Sequence, residues 1–371
     1  MSQSEKIPAR GALEVSPWTS IGDADRLAWN RLRVARSSLD SPFFSLGWFD
    51  AVDRARGDLL VARWSRAGEA AAFLPLHRGR LRLVTPGGGP LSDAHGLVGD
   101  PPTETRFEDL MASLDASGFR YTGAPSDDPL LGSLPGAPAT QHSIRLTDGY
   151  DAYVRDQREK HPKAFRNLRA RRRRLDGARL EIRFDDRDGE ALDQIFALKR
   201  AQYRRTAQID VFGFPWTRRL IHDLFARPPG ETRCLLSTLR IDGELAAGHF
   251  GLEAEGVLHW WFPAYAERFA HLSPGLLLLH EVAQQGAGLG LRRIDLGGGD
   301  YRFKTEFANG GDILLSGRWH AARGVGPAIE AADRLADRWS RLPLGPAASL
   351  PLRALRRIER EVDFRAAGSR S

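Results

Sequence analysis

The sequence predicts a mixed α/β fold (α+β, mixed sheet), arranged as two tandem units with a helical C-terminal extension. A chain of 371 residues, 42% of them apolar, is longer than one hydrophobic core usually serves. Two distant segments, Leu59–Ala72 and Leu235–Ala247, share the pattern of a strand, a Gly-Glu turn and a second strand. An aromatic helical segment precedes each of them, and a strand, a helix and another strand follow, which indicates an internal duplication. Two unrelated α/β domains with a common hairpin are the alternative.

Composition places the boundary between the units near Gly149. The connection GAPSDDPLLGSLPGAPATQ, which precedes it, is rich in Pro and Gly, as surface connections are. We therefore expect an N-terminal unit at residues 1–149 and a C-terminal unit at residues 150–323. Residues 324–371 are rich in Arg, Ala and Pro and contain two amphipathic patterns, which predict a basic helical extension.

The second unit is expected to contain a mixed sheet, because three meandering strands lead into a helix and a fourth strand follows it. The predicted strands are Leu180–Phe184, Cys234–Ile241, Glu244–Leu252, Val257–Phe262, Arg292–Leu296 and Ile313–Trp319. The predicted helices are Gly189–Arg205, Trp216–Ala226, Pro274–Ala287 and Tyr301–Phe307, together with a basic helix that starts at Lys163 and ends at Gly177.

Positive charge is concentrated at Lys160–Arg174, in the segment KHPKAFRNLRARRRR. The chain has 54 Lys and Arg against 47 Asp and Glu, and this net charge of +7 favours a phosphate-bearing partner or an anionic surface. We interpret the segment either as a solvated linker helix or as a contact for tRNA, anionic lipid headgroups or a carrier-linked substrate.

Several absences in the sequence limit the function classes. The N-terminal residues lack the apolar segment of a signal peptide, and no apolar run is long enough to span a bilayer. The single cysteine, Cys234, excludes a disulfide within the chain and favours a reducing compartment. The histidines have no metal-site spacing, so no metal is expected. We expect a cytoplasmic protein, with a peripheral position at the inner membrane face as a further expectation.

The segment HLSPGLLLLHEVAQQGAGLG contains the sharpest local signal. Ser273 has the residue type of an N-cap, and Pro274 suits the first helical position. We expect the free N–H groups of Gly275, Leu276 and Leu277 to offer a site for a phosphate or pyrophosphate, with Arg268 adding charge nearby. An ordinary capped core helix is the alternative.

Taken together, the order of elements resembles the GNAT superfamily of acyl-CoA-dependent N-acyltransferases. More narrowly, the chain resembles the branch of the cellulose-biosynthesis acetyltransferases, which is related to the Fem-type transferases with duplicated GNAT units. The residues that carry the resemblance are SPFFSLGWF and PLSDAHG in the first unit and WWFPAYAERFAHLSPGLLLLHEVAQQGAGLGLRRIDLGGGDYRFKTEF in the second. It extends from about Trp18 to Trp319.

The resemblance implies acyl transfer from acetyl-CoA or another acyl-CoA to an amine, in polysaccharide or cell-envelope metabolism. It implies that the strand Val257–Phe262 diverges from its neighbour and holds the pantetheine, and that Ser273, Gly275 and Leu276 hold the pyrophosphate. The candidate general bases are His249, His259, Glu253 and Asp300, and Tyr265 or Tyr301 would protonate the leaving thiolate.

Further residues are expected to contact the acceptor. They are Asp93 in the first unit, with a structural role in a turn as the alternative, and Trp260, Tyr265 and Lys304 in the second. Tyr301 and Lys304 lie in LGGGDYRFKTEF, which misses the P-loop pattern because Phe303 stands where the second glycine belongs. We interpret this segment as a strand end and a short helix on one wall of the cleft. An aminoacyl-tRNA-dependent Fem-type transferase and a non-catalytic binding protein on a GNAT scaffold are the alternative functions.

Overall fold

The computed structural model describes residues 12–228, 230–299, 301–322, 326–340 and 350–366. The chain forms two compact units, one made of Met1–Pro138 with Leu314–Ser371 and the other of Ala139–Ile313. Both units contain helices packed on a mixed sheet, which confirms the predicted fold class. The domain bounds expected at residues 149 and 323 stay predictions.

The strands and helices before residue 138 belong to the first unit. Its strands are β1 (Leu13–Pro17), β2 (Leu59–Arg66), β3 (Glu69–Arg78), β4 (Leu83–Pro86), β5 (Val98–Gly99) and β6 (Gly118–Pro125). Its helices are α1 (Asp23–Val34), α2 (Leu46–Arg56) and α3 (Phe107–Ser113). The predicted hairpin at residues 59–72 is thus confirmed as β2 and β3.

The remaining elements follow the predicted order closely. The strands are β7 (Gly136–Arg145), β8 (Leu180–Arg183), β9 (Thr232–Ile241), β10 (Glu244–Ala254), β11 (Val257–Tyr265), β12 (Arg293–Gly298) and β13 (Gly310–His320). The helices are α4 (Tyr150–Lys160), α5 (Pro162–Arg173), α6 (Gly189–Arg205), α7 (Pro215–Ala226), α8 (Pro274–Gly288), α9 (Arg302–Phe307), α10 (Gly326–Ser340) and α11 (Leu350–Ala366).

The strands of the two units follow the same pairing plan. In the first unit the order is β1-β2-β3-β4-β6-β13, with β5 beside β3, and in the second it is β8-β9-β10-β11-β12-β7. Each order reads as three antiparallel pairs, one parallel pair and one antiparallel pair. This shared plan is what an internal duplication produces, and in each sheet the final strand comes from a distant part of the chain.

The units differ in the helix that joins their parallel strands. In the second unit α8 is 15 residues long, and its leucine face packs in the core under the sheet. In the first unit the connection between β4 and β6 contains α3, of 7 residues, after the glycine-rich loop at Gly87–Gly89. The first unit therefore lacks the long helix that begins with proline.

The basic helix predicted from Lys163 to Gly177 is confirmed as α5, and a separate helix, α4, precedes it. α4 ends at Lys160, and α5 begins at Pro162, which has no N–H to continue the hydrogen bonding of α4. α5 buries Ala164, Phe165 and Leu168 and exposes most of its basic side chains. None of the helices in the described ranges combines the length and the apolar character that crossing a bilayer requires.

The hairpin of β10 and β11 contains a close approach of backbone and side chain. The Glu253 carboxylate accepts a hydrogen bond from the Gly256 N–H at 2.8 Å and pairs with Arg233 at 2.6 Å. Glu253 therefore stabilises the turn, and its role as a general base stays a prediction. A Cβ at Gly251 would lie 2.5 Å from both the His249 ring and the His259 carbonyl oxygen, so this position requires glycine.

We expect Gly251→Ala to destabilise the protein by about 2–3 kcal/mol, because the backbone oxygen of β11 cannot yield to the added methyl group. The matched control is Gly288→Ala, on an exposed site in α8 where a Cβ meets nothing within 4 Å. It should be neutral or stabilising by up to about 1 kcal/mol. Thermal and urea unfolding measure both, and equal stability of the two variants would show that β11 adapts.

Candidate active site

A cavity of about 530 Å³ opens in the second unit where β11, α5, α8 and α9 come together. β11 contributes Trp260, Pro263, Ala264 and Tyr265 to its wall, and α6 contributes Gln202. The cavity therefore lies at the end of β11, beside the start of α8.

β11 separates from its parallel neighbour β12 part-way along its length. The two strands pair from Val257 to His259, opposite Arg293 to Asp295. On its other side β11 stays paired with β10 as far as Tyr265. The part of β11 after His259 borders the cavity, which agrees with the diverging strand that the family resemblance implies.

The N-terminus of α8 differs in detail from the prediction. Ser273 has a left-handed backbone conformation (φ 50°, ψ 54°), and its side chain caps no N–H group. Its carbonyl oxygen accepts hydrogen bonds from the N–H groups of Leu276 at 3.0 Å and Leu277 at 3.2 Å. The predicted cap and the predicted free N–H groups of Leu276 and Leu277 are therefore wrong. Since Pro274 has no N–H, Gly275 is the remaining candidate donor.

Three of the predicted donor-binding residues line the cavity: Ser273, Gly275 and Leu276. Leu277 does not, because its side chain is buried in the hydrophobic core of the unit. A Cβ at Gly275 would meet no atom within 4 Å, so the cavity is open at this position.

Arg268 is not at the cavity. Its guanidinium pairs with the Glu244 carboxylate and lies over the Phe269 ring, 5.0 Å from its centroid. It borders a second, shallower groove of the same unit, with Glu267 and Arg240. The expectation that Arg268 adds charge at the start of α8 is therefore wrong, because a local carboxylate engages it.

Two other arginines line the cavity, and sequence reasoning did not select them for this site. Arg171 comes from α5 with Asn167, and Arg302 comes from α9 with Glu306. Nε of Arg302 lies 2.8 Å from Oε1 of Glu306. The basic segment therefore contributes to the cavity wall as well as to the surface. Its dense arginines were the available signal, but the sequence did not show which one turns inward.

The two candidate histidines lie behind the cavity wall. His249 and His259 are both buried, and the His249 ring stacks on Trp260 with ring centroids 3.6 Å apart and an angle of 8°. Burial, reinforced by the charges of His259 and Lys199, holds the pKa of His249 well below its ordinary value. His249 is therefore neutral at pH 7, and among the described residues it is Trp260 that faces the cavity at this point. In this conformation neither histidine is placed as a general base.

Lys199 of α6 is buried against β11. Its Nζ donates a hydrogen bond to the Pro263 carbonyl oxygen at 2.9 Å and lies 5.4 Å from the centroid of the Tyr203 ring. Burial lowers the pKa of this ammonium to about 8. Lys199 thus fixes the backbone of β11 where the strand borders the cavity.

The residues predicted around α9 have different positions. Asp300 lies outside the described residues. Tyr301 is 60% exposed, and Lys304 is buried with its Nζ donating to the Gly298 carbonyl oxygen at 2.5 Å. Lys304 therefore ties α9 to the end of β12, and its predicted contact with the acceptor is not supported. Tyr265 lines the cavity, whereas Asp93 is an exposed residue of the first unit.

An aromatic cluster surrounds a buried histidine next to the cavity. His280 of α8 contacts the rings of Tyr150, Tyr153, Phe165 and Phe307, with centroids 5.0–6.3 Å away. Its Nδ1 lies 3.2 Å from the Tyr150 hydroxyl. Burial lowers the pKa of His280 to about 4 and raises that of Tyr150 to about 12. Both groups are neutral at pH 7 and hold α4, α5 and α8 together.

The comparisons with known proteins agree with this geometry. Residues 162–305 match a family model described as an acetyltransferase (GNAT) domain. The match spans α5 to α9 and includes the diverging strand and the start of α8. Over these residues the second unit therefore resembles a GNAT acetyltransferase domain. None of the curated proteins compared with the chain matches it.

Solved structures resemble the chain over most of its length. FemX is 10% identical, and the likeness covers 82% of this chain and 96% of FemX at a TM-score of 0.54. L-PGS from Bacillus licheniformis is 11% identical over 79% of this chain and 97% of that chain, at a TM-score of 0.48. A tandem GNAT protein from the clavulanic acid biosynthesis pathway is 13% identical over 84% and 100%, at 0.44. The likeness to FemX shows a common fold.

In the described part of the chain no group of three His, Cys, Asp or Glu side chains could hold a metal ion.

We expect His280→Phe to change the pH dependence of stability. The unfolded histidine takes up a proton near pH 6.5, whereas folded His280 does so near pH 4, so the wild type loses stability as the pH falls through this window. The variant lacks this loss, and its stability relative to the wild type should improve by about 2 kcal/mol between pH 7.5 and pH 5. Urea unfolding at both pH values measures the change.

Tyr150→Phe is the control for this experiment, because it removes the hydroxyl and keeps the buried imidazole. Its stability relative to the wild type should be similar at both pH values. A difference between His280→Phe and the wild type that does not vary with pH would contradict the depressed pKa.

Proposed function

We propose that the protein is an acyl-CoA-dependent N-acyltransferase, with acetyl-CoA as the simplest donor, that acts on an amine in polysaccharide or cell-envelope metabolism. The observation that carries the proposal is the cavity at the start of α8, bordered by the diverging part of β11 and by Arg171 and Arg302. The cell-envelope setting rests on the sequence resemblance to the cellulose-biosynthesis acetyltransferases.

The cavity has the parts that an acyl-CoA requires. The Gly275 N–H and the positive end of the α8 dipole favour an anion, and Arg171 adds positive charge to the same cavity. Arg302 pairs with Glu306 in the structure, and in our proposal it exchanges this carboxylate for a donor phosphate. The edge of β11 from Trp260 to Tyr265 offers backbone groups to the amides of pantetheine. Leu279, Phe303 and Phe307 provide an apolar surface for the acyl end.

The chemistry needs no covalent enzyme intermediate. The acceptor nitrogen attacks the thioester carbonyl, the C–N bond forms and the C–S bond breaks. In our proposal Glu306, released by Arg302, takes the proton from the amine, because among the described residues it is the carboxylate that lines the cavity. The Tyr265 hydroxyl protonates the leaving thiolate. Burial raises the pKa of the Cys234 thiol to about 11, so this side chain is not an activated nucleophile.

A Fem-type transferase that uses aminoacyl-tRNA is the second candidate. The observation that favours it is the exposed arginine-rich face of α5, which suits a polyanion larger than CoA. The two donors are distinguished by direct binding, as is the third candidate, a scaffold without catalytic activity that binds neither donor.

Acetyl-CoA, longer acyl-CoAs and free CoA are expected to raise the thermal midpoint of the full chain, and bulk tRNA is not. Gly275→Glu should abolish the shift, because it places a carboxylate where the pyrophosphate binds, in space that no other atom occupies. Gly288→Glu adds the same carboxylate at the exposed opposite end of α8 and should keep the shift. No shift with any CoA species would reject the donor, and a shift that survives Gly275→Glu would reject the placement.

Glu306→Gln tests the proton acceptor. With acetyl-CoA and an amine acceptor found by screening, kcat should fall by about a hundredfold, while the affinity for acetyl-CoA changes little. Arg302→Gln is the matched comparison: it should weaken acetyl-CoA binding, because Arg302 is assigned to the donor. A Glu306→Gln variant with wild-type kcat over the whole pH range would assign the proton to another group.

A further inference from the structure

The two C-terminal helices of the first unit are held by their acidic residues. Arg318 of β13 pairs with Asp333 of α10 at 2.9 Å and with Glu359 of α11 at 2.7 Å. Arg120 of β6 pairs with Glu359 at 3.0 Å and also with Asp363. Burial raises the pKa of Glu359, but the hydrogen bonds from Arg318 outweigh this and leave it below its ordinary value. Asp333, Glu359 and Asp363 therefore face the sheet.

Four large apolar residues of these helices are exposed, although Phe364 of α11 is buried. Leu335 and Trp339 of α10 are 66% and 50% exposed, and Ile358 and Val362 of α11 are 60% and 42% exposed. Each pair has a spacing of four residues, so each forms a short apolar stripe on one helix face. A surface helix usually packs its apolar stripe on the core, so these stripes are apolar surface beyond what the packing of Phe364 uses.

The basic residues of the two helices are on the outside. At the described positions every arginine is exposed, and two of them, Arg334 and Arg365, pair with Glu330 and Glu361 of their own helices. The other exposed arginines are Arg338, Arg353, Arg356, Arg357 and Arg360. The outer face of the helix pair thus combines apolar stripes with a concentration of guanidinium groups.

We propose that this outer face of α10 and α11 docks on the surface of an anionic lipid bilayer. Exposed Leu, Trp, Ile and Val side chains enter the interface between headgroups and acyl chains, and arginines bind lipid phosphates. Charge complementarity selects this occupant: a second copy of the chain would bring arginines against arginines, and RNA would leave the apolar stripes without a partner. The helices lie in the membrane plane and do not cross it.

Vesicle co-sedimentation of the full chain tests the proposal. The protein should sediment with vesicles of equimolar phosphatidylcholine and phosphatidylglycerol, and not with vesicles of phosphatidylcholine alone. The double variant Trp339→Ser with Ile358→Ser should lose about tenfold or more in partitioning, because the apolar insertion is removed while every arginine stays. Arg356→Glu with Arg360→Glu should show a comparable loss of partitioning onto anionic vesicles. High salt should reduce the remaining partitioning further.

The control is Leu27→Ser with Leu289→Ser, two leucines on other elements that are 73% and 68% exposed. This variant should partition as the wild type does, and all variants should keep the wild-type unfolding temperature, since each substituted side chain is exposed. The emission of Trp339, isolated as the difference between wild type and Trp339→Phe, should shift to shorter wavelength with anionic vesicles.

Three results would overturn the proposal. The first is no sedimentation with anionic vesicles. The second is wild-type partitioning of Trp339→Ser with Ile358→Ser, which would assign the binding to other basic segments such as α5. The third is a dimer in the absence of vesicles that this double variant abolishes, which would assign the face to a second copy of the chain.

Discussion

The candidate site depends on one interruption of hydrogen bonding, the point at which β11 leaves β12. Up to His259 the two strands form a parallel pair, and after it β11 remains bound to β10 alone among its neighbours in the described sheet of the second unit. The edge released in this way borders the cavity. A strand edge with unpaired backbone groups can pair with other chains. Here the hydrogen bond from Lys199 to the Pro263 carbonyl and the stack of His249 on Trp260 hold the edge in place.

The stack of His249 on Trp260 explains the glycine in the neighbouring strand. The imidazole lies where a side chain of residue 251 would begin, and the His259 carbonyl closes the same space. The bulge between Phe250 and Leu252 gives β10 the freedom to make this arrangement. A neutral, buried imidazole behaves as a flat packing surface, which is why a residue type often associated with catalysis serves here to orient a tryptophan.

The positions of most helices and strands were predictable from the sequence, because they depend on residues close to each other in the chain. Periodicity and turn residues placed β9, β10, β11, α6 and α8 within a few residues of their observed ends. The same local reasoning failed at Ser273, where the residue type suits a cap but the backbone enters the left-handed region and the carbonyl takes over the hydrogen bonds. Residue type alone does not determine the backbone conformation of a turn that joins β11 to α8.

The cavity itself was only partly predictable. Ser273, Gly275, Trp260 and Tyr265 were selected because they lie near each other in the chain order of a known fold. Arg171 belongs to a run of basic residues in which nothing local distinguishes one arginine from the next, and the packing of Phe165 and Leu168 decides which position of α5 faces the cavity. Arg268 was selected from the sequence but does not line the cavity. It pairs with Glu244, which is 24 residues away in sequence, and local sequence reasoning could not predict this ion pair.

α5, which begins at Pro162, has arginines in two environments, and this has a consequence for how its binding responds to ionic strength. α5 presents Arg171 to a confined cavity and its other arginines to open solvent. Mobile ions screen charges in open solvent strongly and confined charges weakly. Salt should therefore separate two properties carried by a single helix: attraction of polyanions to the outer face should fade first, and retention of a small anion inside the cavity should persist. The ionic strength then sets how far this helix acts as a selective binding element and how far as a general cationic surface.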